Sequence, residues 1–257
     1  MNKDLKNHLQ HLSNGVAHRG LHDLARPENS LAAFEHAIEA GLPFECDLHL
    51  TKDGEVIVCH DSSLLRVTGK EGIIEDLTLE EVRQYRFFDG SRPATLKEVL
   101  ELNAGRVPMV IELKTYQGNA KPLAEACAPI INAMPNRDLC YLISFDAEAL
   151  REAKKAGILL PLGFLVSTEA VKHASKELLY EFDFIDVEVH YSLLPRFAKY
   201  RKDGGTLFCW TVKNKFTYKI GKRRCHVLTF EEVDSAKEEL QVNAFIRDHL
   251  NPFHSDR

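Results

Sequence analysis

The stretch Phe44-Glu45-Cys46-Asp47-Leu48-His49-Leu50-Thr51-Lys52-Asp53-Gly54-Glu55-Val56-Ile57-Val58-Cys59-His60-Asp61 decides how the rest of the chain is read. Its two ends, Phe44–Leu50 and Val56–His60, are strand-like runs separated by a segment that contains Lys52-Asp53-Gly54. Asp-Gly is a tight-turn signal, and a parallel crossover needs about a dozen residues or more. The two runs are therefore an antiparallel hairpin. Outside it, strand-like runs at Gly15–His18, Pro108–Leu113, Cys140–Ser144, Pro161–Val166, Phe184–Val187, Leu207–Val212 and His226–Thr229 alternate with helix-like segments. Such alternation predicts a parallel sheet with covering helices. Setting aside the second arm of the hairpin leaves eight strands, the number that closes an α/β barrel. The expected fold class is α/β, a TIM-like (β/α)8 barrel with a small insertion after a β-hairpin on the second strand. One domain spans 1–257, with the insertion at about 61–94, a short helix in it near Leu79–Tyr85, and a polar helix-prone tail at about 232–257.

The intervening helices carry start and stop signals. Asn29 or Ser30 caps a segment with apolar Leu31, Phe34, Ala37 and Ile38, and Gly41 ends it. Thr95 followed by Glu98 repeats the logic ahead of Leu96, Val99 and Leu100. Composition sets the outer limits. With 257 residues, 44% hydrophobic and 28% charged, the chain is an ordinary globular one. A net charge of -5 argues against a nucleic-acid partner, which needs a basic face. The longest nearly apolar run, residues 158–166, falls short of the ~20 residues of a spanning helix. Met1 to Gln10 has no apolar stretch that would make a secretion signal. Cys46, Cys59, Cys127, Cys140, Cys209 and Cys225 form no C-x-x-C pair and read as buried apolar residues in a reducing compartment. The expected location is the cytoplasm; the oligomeric state is not encoded in any of these signals.

Reactive groups of such barrels gather at the C-terminal ends of the strands. There the sequence places His18-Arg19-Gly20, Glu45 and Asp47, His60-Asp61, Glu112-Leu113-Lys114, Ser144-Phe145-Asp146, Glu188 and Trp210-Thr211. Glu45 and Asp47, two apart on a strand, share a face. Together with Glu112 they offer an all-oxygen set suited to Mg²⁺ or Ca²⁺; ion pairs with Arg19 or Lys114 are the alternative. His18 and His60 flank the cluster and could serve as acid and base. Arg19 and Lys114 suit phosphate oxygens. His8, His11, His36, His173, His249 and His254 read as surface or core residues. No G-x-S-x-G, G-x-x-x-x-G-K, G-x-G-x-x-G or H-E-x-x-H motif is present.

Taken in order, His18-Arg19-Gly20, Pro27-Glu28-Asn29-Ser30, Ala33-Phe34, Ala37, Glu45-x-Asp47, Thr51-x-Asp53-Gly54, His60-Asp61, Thr95-Leu96-x-Glu98, Glu112-Leu113-Lys114, Ser144-Phe145-Asp146 and Trp210-Thr211-Val212 resemble the glycerophosphodiester phosphodiesterase family. The resemblance covers roughly residues 15–215. It implies a metal-dependent hydrolase that splits a small-molecule glycerophosphodiester into glycerol 3-phosphate and an alcohol. It implies His18 and His60 as the acid/base pair, Glu45, Asp47 and Glu112 as metal ligands, Arg19 and Lys114 as phosphate contacts, and Trp210 as a wall beside the glycerol or the leaving alcohol. Glu28 and Asn29 would support the site from behind its contacting residues, Glu28 by orienting Arg19 or a histidine; Asn29 is also a natural helix cap. His49 shares the face of Glu45 and Asp47 and could reach the cavity; Asp61 could partner His60; Glu188 could meet the metal or a headgroup, or equally be solvated at the surface.

The chain departs from the family pattern at its last strand. The family has Thr-Asp followed by Pro there, and this chain has Thr229-Phe230-Glu231 after a helix ending in Lys219, Lys222, Arg223 and Arg224. The departure is expected to change the rim and leave the metal and histidine positions untouched. Two other readings stand beside the hydrolase. One is a lysophospholipase D-like or phospholipase C-like enzyme, which needs an apolar groove that no exposed apolar helix or anchor in the sequence supplies. The other is a non-catalytic phosphodiester-binding barrel, which would be expected to have lost a ligand or a histidine.

Overall fold

The hairpin and its partners close into a barrel in the computed structural model, which describes residues 9–135 and 137–231. The expected tail at 232–257 lies outside the described residues. In chain order the elements are β1 (Val16–Ala17), α1 (Leu31–Glu39), β2 (Phe44–Leu50), β3 (Val56–Val58), α2 (Leu65–Thr68), α3 (Leu79–Val82), β4 (Ala94–Thr95), α4 (Leu96–Asn103) and β5 (Met109–Leu113). The second half continues with α5 (Ala120–Asn132), β6 (Tyr141–Ser144), α6 (Ala147–Lys155), β7 (Leu162–Val166), α7 (Thr168–His173) and α8 (Lys176–Leu179). It ends with β8 (Phe184–Glu188), α9 (Pro195–Lys202), β9 (Thr206–Val212), α10 (Lys215–Arg224) and β10 (Val227–Phe230). The eight parallel strands run β1-β2-β5-β6-β7-β8-β9-β10 around the ring, and β1 pairs with both β2 and β10 to close it.

β3 pairs antiparallel with the far end of β2, Leu48–Leu50 against Val56–Val58. A further strand, β4, was not expected. It is two residues long, too short to leave a pattern, and adds antiparallel to β3 through Ile57↔Thr95 and Val58↔Ala94. The insertion is thus a small unit hung on β2, with its own core of Ile57, Leu64, Val67, Ile74, Val82 and Phe87. It holds α2, α3 and a short 3-10 turn, Ile74–Asp76. Thr95 ends β4 and also caps α4, with Glu98 completing the capping box.

Ser30, rather than Asn29, caps α1. Its Oγ accepts the Ala33 N–H at 3.2 Å. Helix α1 buries Ala33, Phe34, Ala37 and Ile38 against the barrel, and the Phe34 and Phe44 rings lie 4.7 Å apart. Inside the barrel, Tyr141, Phe184 and Phe208 pack with centroids 4.2–6.0 Å apart. Gly163 is required beside them, because a Cβ there would sit 2.2 Å from the Phe184 ring. Leu12, Val16, Val110, Ile143, Leu165 and Val227 join this plug. It fills the lower barrel with apolar side chains, so polar groups collect in the layer above it.

Candidate active site

Above the plug, the strand ends surround a cavity of about 520 Å³ lined by His18, Arg19, Glu45, His60, Glu112, Lys114 and Trp210, among others. Asp47 lies beneath its surface and is fully buried. The register of β2 and β5 sets Asp47 directly opposite Glu112. One oxygen from each of Glu45, Asp47 and Glu112 falls within 4.8 Å of the other two. Like charges so close are held by cations and hydrogen bonds. Lys114 Nζ is 3.1 Å from Asp47 Oδ1 and 2.7 Å from Glu112 Oε1. Arg19 Nε stands 3.7 Å from Asp47 Oδ2. The Arg19 backbone N–H donates to Glu45 Oε2 at 2.9 Å, a bond made possible by the left-handed backbone of Arg19 (φ 55°). The following Gly20 has φ 83°, and a side chain on it would run into Ala33 at 2.9 Å. Among the described residues Glu45 Oε1 is buried with no hydrogen-bond partner.

The electrostatics follow from this packing. Burial and the neighbouring Asp47 and Glu112 push the Glu45 carboxyl well above its ordinary range. Burial raises Glu112 as well, with Lys114 opposing. Asp47 is the exception. Burial would raise it, but Lys114, His60 and Arg19 hold it below the usual carboxylate range. His18 is pushed down to about 3 by burial and by Arg19. Burial also lowers His60, with Lys114 and Arg19 adding to it and Asp47 opposing.

Asn29 does not cap a helix. Its side-chain amide donates to Asp47 Oδ2 at 2.7 Å, and its carbonyl accepts the Asp47 N–H at 3.3 Å. It therefore orients the central carboxylate. Glu28 accepts from Arg19 Nη1 at 2.8 Å and from both terminal nitrogens of Arg66 at 2.7 and 2.9 Å. Asp61 sits 2.6 Å from His60 Nδ1 and also accepts from Arg66 Nε at 2.6 Å. Arg66, on α2, thus ties the insertion to the loop carrying Glu28 and braces Asp61 beside His60. A lone arginine in an insertion, five residues past Asp61, gives no sequence signal.

Three expectations are corrected. His49 does not line the cavity; it pairs with Glu75 Oε1 at 2.6 Å and lies 3.1 Å from the His60 carbonyl, pinning the insertion to β2. Glu188 also lies outside the cavity lining and pairs with His190 at 2.7 Å. The departure at the last strand does reach a histidine. Glu231 lines the cavity, pairs with Lys213 at 2.8 Å and comes within 4.0 Å of His18 Nδ1. The basic residues at the end of α10 line no part of it. Trp210 stands edge-on to Phe145, 5.6 Å away. A second, more apolar groove adjoins the cavity, sharing Glu28, Arg66, Lys213 and Glu231, and bears the exposed Leu24 and Phe88. Its exposed apolar residues, Leu24 and Phe88, lie on loops, where no helical apolar pattern could mark them. No helix among the described residues is long and apolar enough to cross a membrane.

The profile of the glycerophosphoryl diester phosphodiesterase family matches residues 18–251. A glycerophosphodiester phosphodiesterase of Caldanaerobacter subterraneus is 34% identical over 214 residues, 78% of this chain and 86% of that protein. A human lysophospholipase D is 43% identical over a shorter span of 75 residues, 29% of this chain and 24% of that one. Among solved structures, an Oleispira antarctica phosphodiesterase bound to sn-glycerol 3-phosphate superposes with a TM-score of 0.79 at 23% identity, covering 91% of this chain and 96% of that one. A glycerophosphodiester phosphodiesterase from Thermotoga maritima does so with a TM-score of 0.69 at 30% identity, covering 89% and 97%. On the match from residue 18 to residue 251, the chain belongs to the glycerophosphoryl diester phosphodiesterase family.

Proposed function

We propose that this protein, a phosphoric diester hydrolase by family, splits glycerophosphodiesters into glycerol 3-phosphate and an alcohol in a reaction that depends on a divalent metal. The observation that carries the reading is the meeting of three carboxylates, two imidazoles, a guanidinium and an ammonium at one barrel mouth. Glu45, Asp47 and Glu112 fit a hard cation, Mg²⁺ or Ca²⁺. They offer only oxygen donors, and Glu45 Oε1 is buried without a partner. A divalent cation held there supplies Lewis-acid stabilisation of phosphoryl charge.

In this reading Arg19 and Lys114 hold the phosphoryl oxygens, and Trp210 walls the organic part. One imidazole takes the proton of the glycerol hydroxyl next to the phosphoester as that oxygen bonds to phosphorus. The other gives a proton to the alcohol oxygen as its bond to phosphorus breaks. Water then opens the cyclic phosphate with the roles reversed. His18, beside Arg19, is one of the pair, and His60, whose ring is oriented by Asp61 at 2.6 Å, is the other. A cytoplasmic setting suits six thiols that are all buried and unbridged.

The groove bearing Leu24 and Phe88 favours a second substrate class, lysophospholipids, whose acyl chain could lie along it. Both readings are tested by following glycerol 3-phosphate or lysophosphatidate release from glycerophosphocholine and lysophosphatidylcholine, with chelator-stripped protein and added Mg²⁺ or Ca²⁺. Turnover of glycerophosphocholine alone assigns the soluble diester; turnover of the lipid alone assigns the second class.

A further inference from the structure

Asp186 has no part in the chemistry so far described. It sits on β8, which stands directly across the ring from β2 and its carboxylates. Its Cα partners on the neighbouring strands are Leu165 and Phe208, both apolar. The side chain lines the cavity floor, is 1% exposed, and its Oδ1 has no hydrogen-bond partner among the described residues. A carboxyl oxygen buried without a hydrogen-bond partner is costly to the fold, even though the Val187 backbone N–H supports the same carboxyl. Such a group is retained where a ligand completes its hydrogen bonds. Two residues further out on the adjoining strand β9, the Trp210 indole N–H is also buried without a hydrogen-bond partner among the described residues. Asp186 and Trp210 together offer an acceptor and a donor, the complement of a hydroxyl group.

The ligand cannot be the phosphoryl group. Its oxygens belong with Arg19 and Lys114, which follow β1 and β5, each three strands away from β8 around the ring. Asp186 therefore faces the organic part of the substrate. We infer that Asp186 is a specificity-determining residue that hydrogen-bonds the terminal hydroxyl of the substrate's glycerol unit, so that the site selects polyol phosphodiesters over their deoxy counterparts. This rests on the glycerophosphodiester reading above and names the feature of the substrate that the site measures. Either protonation state of the carboxyl can make the bond, as donor or as acceptor.

The test compares glycerophosphocholine with its analogue lacking the terminal hydroxyl, the phosphocholine ester of propane-1,2-diol, by choline release in the presence of Mg²⁺ or Ca²⁺. The wild type is expected to prefer the glycerol compound by about 10- to 100-fold in kcat/KM. In Asp186→Leu that preference should fall to within about threefold, mostly through loss on the glycerol compound, while Asp186→Asn, which keeps a hydrogen-bonding amide, should retain part of it. Asp186→Ala carries the same expectation as the leucine variant and serves if leucine is too bulky. The ratio between two substrates is the readout, because a merely structural role would lower both rates together. Undiminished preference in an active Asp186→Leu or Asp186→Ala protein overturns the inference while leaving the diesterase reading intact. Release from neither compound by the wild type overturns the substrate reading, and this inference with it.

Discussion

Replacing Glu45 by Gln should make the metal-free protein more stable and the metal-loaded one less so. Glu45 Oε2 accepts the Arg19 N–H at 2.9 Å, and Gln can keep that bond through its carbonyl. The other oxygen, Oε1, has no hydrogen-bond partner among the described residues, on a carboxylate that brings one oxygen within 4.8 Å of Asp47 and Glu112. An amide group there turns a repulsive oxygen into a donor. Relieving an unsatisfied buried polar group is worth about 1–3 kcal/mol. At roughly 2–4 °C per kcal/mol for a chain of this size, Tm should rise by roughly 2–12 °C in EDTA. The sign of the pH dependence agrees. Because burial raises the Glu45 carboxyl, ionising it costs stability as pH climbs past the ordinary carboxylate range, and the glutamine variant lacks that loss. With free Mg²⁺ or Ca²⁺ at about 1,000 times its Kd, the wild type should gain about 4.1 kcal/mol, most of which the variant forfeits. Thermal unfolding with and without metal should therefore show the two proteins exchanging rank. A lower Tm for Glu45→Gln in EDTA, or an unchanged metal-induced rise, would refute this reasoning.

His18→Ala and His60→Ala should each lower kcat by about 10²- to 10⁴-fold with metal affinity, read by calorimetry, roughly unchanged; loss of metal binding would make that histidine a ligand. Arg66→Ala frees both Glu28 and Asp61 and should lower kcat/KM by about 10- to 100-fold with little change in metal binding; wild-type kinetics would remove Arg66 from the site's support. Glu28 is raised by burial but brought down to about 2 overall by Arg66 and Arg19, so the stability it contributes is present above the usual carboxylate range and is lost as pH falls toward about 2. Glu28→Gln should flatten acid unfolding in that window; an unchanged profile would contradict the pairing. Ser30→Ala removes the α1 cap and should cost about 1 kcal/mol in urea unfolding, against no effect if Asn29 were the cap.

The barrel was legible because its strands are apolar runs with unambiguous spacing, and Asp53-Gly54 identified the one antiparallel turn. Glu45, Asp47 and Glu112 were legible as a cluster because strand periodicity aims residues two apart at one face, and β2–β5 register does the rest. What the sequence hid was three-dimensional in origin. Asn29 and Ser30 are both good caps, and only the left-handed backbone of Asn29 (φ 55°) turns its amide to Asp47 instead. His49 has the right parity for the cavity, but it is intercepted by Glu75 from the insertion, 26 residues away. Arg66 and Asp186 carry no motif. One acts through its pairing with Glu28, 38 residues away, and the other matters because its buried Oδ1 has no hydrogen-bond partner among the described residues. Glu231 was visible as a departure from the family pattern, yet its approach to His18 depends on β1 and β10 being neighbours where the barrel closes.

The most direct test of the account is glycerol 3-phosphate release from a panel of glycerophosphodiesters by chelator-stripped protein, with Mg²⁺ or Ca²⁺ restored and His18→Ala alongside. Release that requires the metal and is lost in the variant is the predicted result, and the panel then ranks the leaving alcohols. Release that persists undiminished in EDTA, or in His18→Ala, would contradict the account.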